Sequence, residues 1–178
     1  MKNYSVRLLI VWLLFFTACS KDDVIVETLP PDRLDLLTTI SNSWELYMYN
    51  ISTDKGKYYF TGSELKEHSL RTVTFSKDGN YTSATTNWSG TYLFLNDSTQ
   101  IVLTPAASNF VACVLNLDNI SLHRMQFSSP WVQVNPEKTG ASDYERFIAY
   151  QGLKFLFGQG KDISNLKSIK IEFRYSPR

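Results

Sequence analysis

From Trp44 onward, turn residues cut the chain into strand-length segments, and this constrains the fold more than any other feature. Trp44, Leu46 and Met48 alternate with Glu45, Tyr47 and Tyr49, the period of a strand with one buried face. Residues 57–60 form a second short candidate. Residues 62–69 are polar around Leu65 and read as a helical turn. Residues 71–75 and 80–84 flank Lys77-Asp78-Gly79, and Asp-Gly supplies the positive φ angles of a tight hairpin. Residues 88–95 and 99–104 pair around Asn96-Asp97-Ser98, and residues 110–117 and 120–127 around Asp118-Asn119. Residues 131–134 are a short candidate. At the end, Ile169, Ile171, Phe173 and Tyr175 alternate with Lys170, Glu172 and Arg174, a strand with one wet face. Strands at hairpin spacing predict a mainly β fold, an antiparallel up-and-down meander that closes or nearly closes into a barrel or cup.

One or two short helices interrupt this pattern. Residues 32–41 read as a helix with Asp32 as its cap and Leu34, Leu37 and Ile40 at helical spacing. Ser142-x-x-Glu145 is a capping box, with Tyr144, Phe147, Ile148 and Gln151 following. Gly152 is placed to end that helix, while a pair of strands interrupted by Gly152 stays open as an alternative.

The first 18 residues read differently. Lys2 and Arg7 precede an apolar run from Leu8 to Phe16, too short to span a bilayer as a helix. Thr17-Ala18-Cys19 follows, and the whole resembles a bacterial lipoprotein signal. That resemblance implies cleavage after Ala18 and lipid attachment at Cys19. A plain secretory peptide with a chance cysteine is the alternative. Residues 1–18 are then signal, 19–31 a lipidated tether ending in Pro30-Pro31, and 32–178 the domain. Two or more acyl chains hold a protein stably on a membrane, at about 0.8 kcal/mol per buried CH2. Cleavage leaves 160 residues, enough for one domain with a sizeable core. Loss of Lys2 and Arg7 takes the formal charge from +1 to −1. Near-neutral, interleaved charge gives no footprint for nucleic acid.

Phe75-Ser76-Lys77-Asp78-Gly79-Asn80-Tyr81 matches F-x-x-D-G-x-Y, and Ser89-Gly90-Thr91-Tyr92, Leu95-Asn96-Asp97-Ser98 and Ile101-Val102-Leu103-Thr104 follow. With the opening Trp44-Glu45-Leu46, these segments resemble the lipocalin-like domain of Bacteroidetes lipoproteins over roughly residues 42–127. Where that family has Gly-x-Trp, Asn42-Ser43-Trp44 stands here. The resemblance implies a lipocalin-like barrel at the outer membrane, facing the cell surface or else the periplasm. Lys21, Asp22 and Asp23 are similar to the export tag of surface lipoproteins in that group. A solvated charged linker is the plainer reading of the same run. Asp97-Ser98-Thr99 resembles the O-glycosylation tripeptide used there and makes Ser98 a candidate in an exposed turn.

Signatures of catalysis are thin. The two histidines, His68 and His123, belong to no metal-spaced cluster, and His123 shares an expected strand face with Met125 and Phe127. Gly158-Gln159-Gly160-Lys161 lacks the spacing of a phosphate loop and reads as a turn. No metal or cofactor is expected, and the chain is read as a non-enzyme. If Cys19 is lipidated, Cys113 has no disulfide partner, and its apolar neighbours predict a buried, inert thiol. Aromatic residues, 14% of the chain, are the better lead. Tyr47, Tyr49, Tyr59 and Phe60 lie near the opening strands, where they could hold a small apolar or glycan ligand. The alternative for them is core packing. Because the more apolar face of the first strand is the core, Tyr47 and Tyr49 are expected outward or at a mouth, opposite Trp44. A structural accessory packing against other envelope proteins is the competing role.

Overall fold

The computed structural model describes residues 31–38 (with side chains from Asp35), 43–83, 88–107, 111–135 and 141–178. Cys19 and the Lys21-Asp22-Asp23 run lie outside the described residues, as does the side chain of Asp32.

A closed antiparallel β-barrel dominates. Helix α1 (Pro31–Thr38) precedes strands β1 (Ser43–Thr53), β2 (Gly56–Thr61), β3 (Thr72–Phe75), β4 (Asn80–Ser83), β5 (Gly90–Leu95), β6 (Gln100–Pro105), β7 (Cys113–Ser121), β8 (Arg124–Ser128) and β9 (Val132–Gln133). Helix α2 (Asp143–Gly158) and β10 (Ser168–Pro177) complete the chain. The eight-strand ring runs β1-β3-β4-β5-β6-β7-β8-β10 and closes through β10 onto β1. β2 extends the far half of β1, and β9 extends the start of β10. The barrel is of the up-and-down kind that the meander predicts, and it is consistent with the lipocalin-like barrel that the family resemblance implies. Closure pairs every ring strand on both sides, and β2 keeps one free edge.

Each end of the ring carries a helix. β3 and β7 stand four strands apart, on opposite sides, and α1 touches both. It therefore spans one end, called here the floor, where Leu37 is fully buried and its carbonyl accepts from Trp44 Nε1 at 3.2 Å. Asp35 meets Lys77 of the β3–β4 turn at 3.0 Å. α2 crosses the other end. Its first turns reach Val114, whose carbonyl accepts from the Tyr144 hydroxyl, and Trp88, 5.4 Å from Phe147 between ring centroids. Further along, Gly152 rests on Ile169 and Ile171 of β10. A Cβ at Gly152 would stand 2.4 Å from Ile169 Cδ1. Gly152 thus allows close helix–strand approach and does not end the helix, contrary to the sequence reading. The capping box holds, with Ser142 N donating to Glu145 Oε2 at 2.8 Å.

Helix α2 stops later, at Gly160, whose φ is +65°. Lys161 N donates to Leu156 O and Gly160 N to Phe157 O, both at 2.9 Å. This is a Schellman motif. The Gly158-Gln159-Gly160-Lys161 turn is therefore a helix C-terminus, whose carbonyls repel phosphate.

Two one-residue bulges revise the sequence reading. In β1 the pairing with β10 shifts between Leu46 and Met48. Trp44 and Leu46 face inward before the shift, and Tyr49, Ile51 and Thr53 are buried after it. A single extra residue exchanges the faces of everything beyond it. Tyr49 is therefore 2% exposed and inward, not outward beside Tyr47, and Met48 leaves the core face. In β7 the pairing with β8 shifts between Leu117 and Asn119. Asp118-Asn119 is thus a bulge inside the hairpin, and the turn falls at Leu122-His123. His123 consequently sits exposed in that turn and shares no face with Met125 and Phe127.

The β3–β4 turn lies where the Asp-Gly signal puts it, but Gly79 alone carries the positive φ, +80°. Gly79 N donates to Ser76 O, and Ser76 N to Asn80 O. That is a three-residue loop with a glycine bulge. The β5–β6 turn has positive φ at Asn96, Asp97 and Ser98. Its Ser98 is 5% exposed, so the exposed acceptor expected at that position is not there. Its neighbours Asp97 and Thr99 stay exposed.

Candidate functional site

The strands' directions divide the interior into two halves. Next to the floor, Trp44, Phe75, Tyr81, Ile101, Met125 and Tyr175 are buried together and fill the lumen. Phe75 meets Tyr92 edge-on at 5.2 Å and Phe127 at 6.4 Å. Such aromatic contacts are each worth about 0.5–1.5 kcal/mol beyond area burial. The half beneath α2 is not filled. It holds a cavity of about 370 Å³, within the range of about 300–1,000 Å³ typical of small-molecule sites.

Three layers of the fold build its wall. β6, β7 and β10 contribute Leu103, Cys113, Leu115, Ile171 and Phe173. β1 contributes Tyr49, delivered inward by the bulge. α2 lays Phe147, Ile148 and Phe155 over the top. The lining residues exposed to solvent, Glu64 and Glu67 on one side and Lys154 and Gly158 on the other, mark the opening between the 3-10 turn Gly62–Leu65 and α2. Lys154 Nζ lies 5.8 Å from the ring centre of Tyr150.

One wall is aromatic. The Tyr49 ring lies 4.6 Å from His68, 4.9 Å from Phe155 and 5.1 Å from Phe173, centre to centre. Phe60 packs behind it, 4.9 Å from Phe155. His68 Nδ1 accepts from Leu70 N at 3.1 Å, so a neutral ring carries its proton on Nε2. Apolar surroundings make charge costly here: burial pulls His68 down to about 4, pushes the Cys113 thiol up to about 12 and raises Tyr49 above the usual phenol value. Burial is the cause resolved for both His68 and Cys113. Neither is tuned by the other's charge, as a thiolate–imidazolium pair would require.

Of the aromatics read from sequence as ligand candidates, the cavity gathers Tyr49, with Phe60 in support. Tyr59 is 58% exposed on β2, away from the cavity wall, and Tyr47 is half-buried at the bulge. Sequence reasoning passed over His68, Trp88, Phe155 and Phe173 as lining residues. Phe173 was legible as inward from its alternation. His68 carried no signal, because residues 62–69 have no period and their fold depends on contacts with β1. Among the described residues, no three His, Cys, Asp or Glu side chains gather as a metal site. No family model and no curated protein matches this chain.

Proposed function

We propose that this chain is a lipid-anchored outer-membrane protein that holds a small, mainly apolar molecule in the α2-side half of its barrel and performs no chemistry on it. The supporting observation is the contrast within one lumen: a filled floor half, and beneath α2 an open cavity of about 370 Å³ walled by Leu103, Leu115, Ile171 and Phe173. A glycan fits this wall poorly. It brings a hydroxyl on most carbons, and each one buried without a partner costs about 1–3 kcal/mol. The anchor rests on the Cys19 signal, and the acidic run after it suits export to the surface.

Titration with N-phenyl-1-naphthylamine, a neutral dye that brightens in apolar surroundings, tests the cavity. Saturable one-site binding is expected, and Leu115→Trp, which fills the space, should abolish it. Absence of saturable binding by the native protein refutes the reading. For the anchor, Cys19→Ala should remove labelling by a fatty-acid analogue, and retained label refutes lipidation.

One observation favours the accessory role instead. Tyr150 and Phe157, two turns apart on α2, are 59% and 72% exposed. An apolar stripe of that kind suits a protein partner. Charge substitution at both positions should leave dye binding intact while releasing any envelope partner.

A further inference from the structure

Resting on the cavity reading above, we infer that Tyr49 and His68 form a polar anchor in the aromatic wall, and that the occupant is a compact one- or two-ring aromatic carrying a neutral hydrogen-bond acceptor. Size comes first. At 370 Å³ the cavity stands near the small end of the about 300–1,000 Å³ range of small-molecule sites, which suits a compact ring system. The wall comes second. Tyr49, His68, Phe155 and Phe173 present four rings with centres 4.6 to 5.9 Å apart, a surface that favours offset or edge-on contact with another ring.

The polar pair decides the rest. His68 Nδ1 is occupied by Leu70 N–H, leaving Nε2–H as a donor. Among the described residues, neither that group nor the Tyr49 hydroxyl has a hydrogen-bond partner, and neither is among the polar atoms sealed from solvent. Both side chains line the cavity. Two side chains with an unpartnered donor each, on the lining of one mainly apolar cavity, suit an occupant that brings an acceptor. That acceptor is uncharged. A buried carboxylate needs a cation beside it. Among the described lining residues, Lys154 is the one lysine or arginine, and it stands at the rim with Glu64 and Glu67. The mouth therefore repels an anion more than it attracts one.

An isosteric pair tests this in the full-length mature protein. 2-Acetylnaphthalene and 2-isopropenylnaphthalene differ in replacing C=O by C=CH2, and 2-naphthoate adds the charge. Quenching of tryptophan fluorescence, with Trp88 in the cavity wall, reads each affinity. The ketone should bind about tenfold more tightly than the alkene, as one well-placed hydrogen bond allows, and more tightly than the naphthoate. His68→Phe should lower the ketone-to-alkene ratio to about threefold or less while leaving alkene binding within about threefold. Tyr49→Phe should lower the ratio by a smaller factor, and it carries the test if His68→Phe does not fold. Equal binding of ketone and alkene, a ratio that survives both substitutions, or tightest binding by naphthoate overturns the anchor while leaving the cavity reading standing. Binding by none of the three overturns both.

Discussion

His68 offers a prediction with a sign and a size. Burial pulls its folded-state value to about 4 from an unfolded value of 6.5. Between these values the unfolded chain binds the proton more readily than the folded one, so stability falls as pH falls. The contribution is complete above pH 6.5 and lost progressively toward pH 4. A shift of that size is worth at most about 3 kcal/mol in a dry site; His68 is half-buried beside an open cavity, and with that screening about 1–2 kcal/mol is gone by pH 5. Against a total stability of about 5–15 kcal/mol, that is a large fraction. The groups facing His68 are the rings of Tyr49, Phe155 and Phe173, with Glu64, Glu67 and Lys154 around the same cavity. Those charges remain in a His68→Phe variant, so their titration cancels in a comparison. Urea denaturation at pH 7.5 and pH 5 should show the wild-type midpoint falling by about 1 M more than the variant's. Parallel pH dependence in the two proteins would refute the burial of a neutral imidazole.

Four further outcomes follow from the packing. Tyr49→Ser should cost about 3 kcal/mol, as a large core deletion, while Tyr59→Ser on the wet face of β2 should change stability by under about 0.5 kcal/mol; equal melting temperatures would remove the β1 bulge. Gly90→Ala puts a Cβ 2.0 Å from Thr104 O and 2.8 Å from Pro105 Cα, both backbone atoms, and should cost about 3 kcal/mol or more by overpacking, read from the denaturation midpoint. Gly79→Val imposes a β-branched side chain at φ +80° and should cost about 1 kcal/mol or more; an unchanged midpoint would displace the turn. Cys113, with its thiol pushed up to about 12, should label slowly at pH 8 with a charged thiol reagent and rapidly once unfolded, and fast stoichiometric labelling of the native protein would reverse the assignment.

Local chemistry determined much of this protein. The alternation of Ile169, Ile171, Phe173 and Tyr175 is that of a strand with one buried face, and all four are buried on β10. The Ser142–Glu145 capping box starts α2, Gly79 carries the β3–β4 turn, and turn spacing alone predicts an up-and-down barrel. These signals are legible because they act within a few residues: a cap, a positive φ, a period of two. Tertiary structure decided what that range does not reach. A bulge is one unpaired residue in a ladder, set by the fit of β1 against β10, and nothing in the alternation of residues 44–49 marks it. That single shift carries Tyr49 from the expected surface into the cavity wall. The same holds for Gly152, which local rules read as a helix end and which close packing against Ile169 explains. It holds for Asp118-Asn119 too, whose turn chemistry is overruled by cross-strand pairing. His68 shows the limit most plainly. Its polar, aperiodic neighbourhood carries no address, and only the approach of β1, α2 and β10 gives it three aromatic neighbours and a face on an empty space.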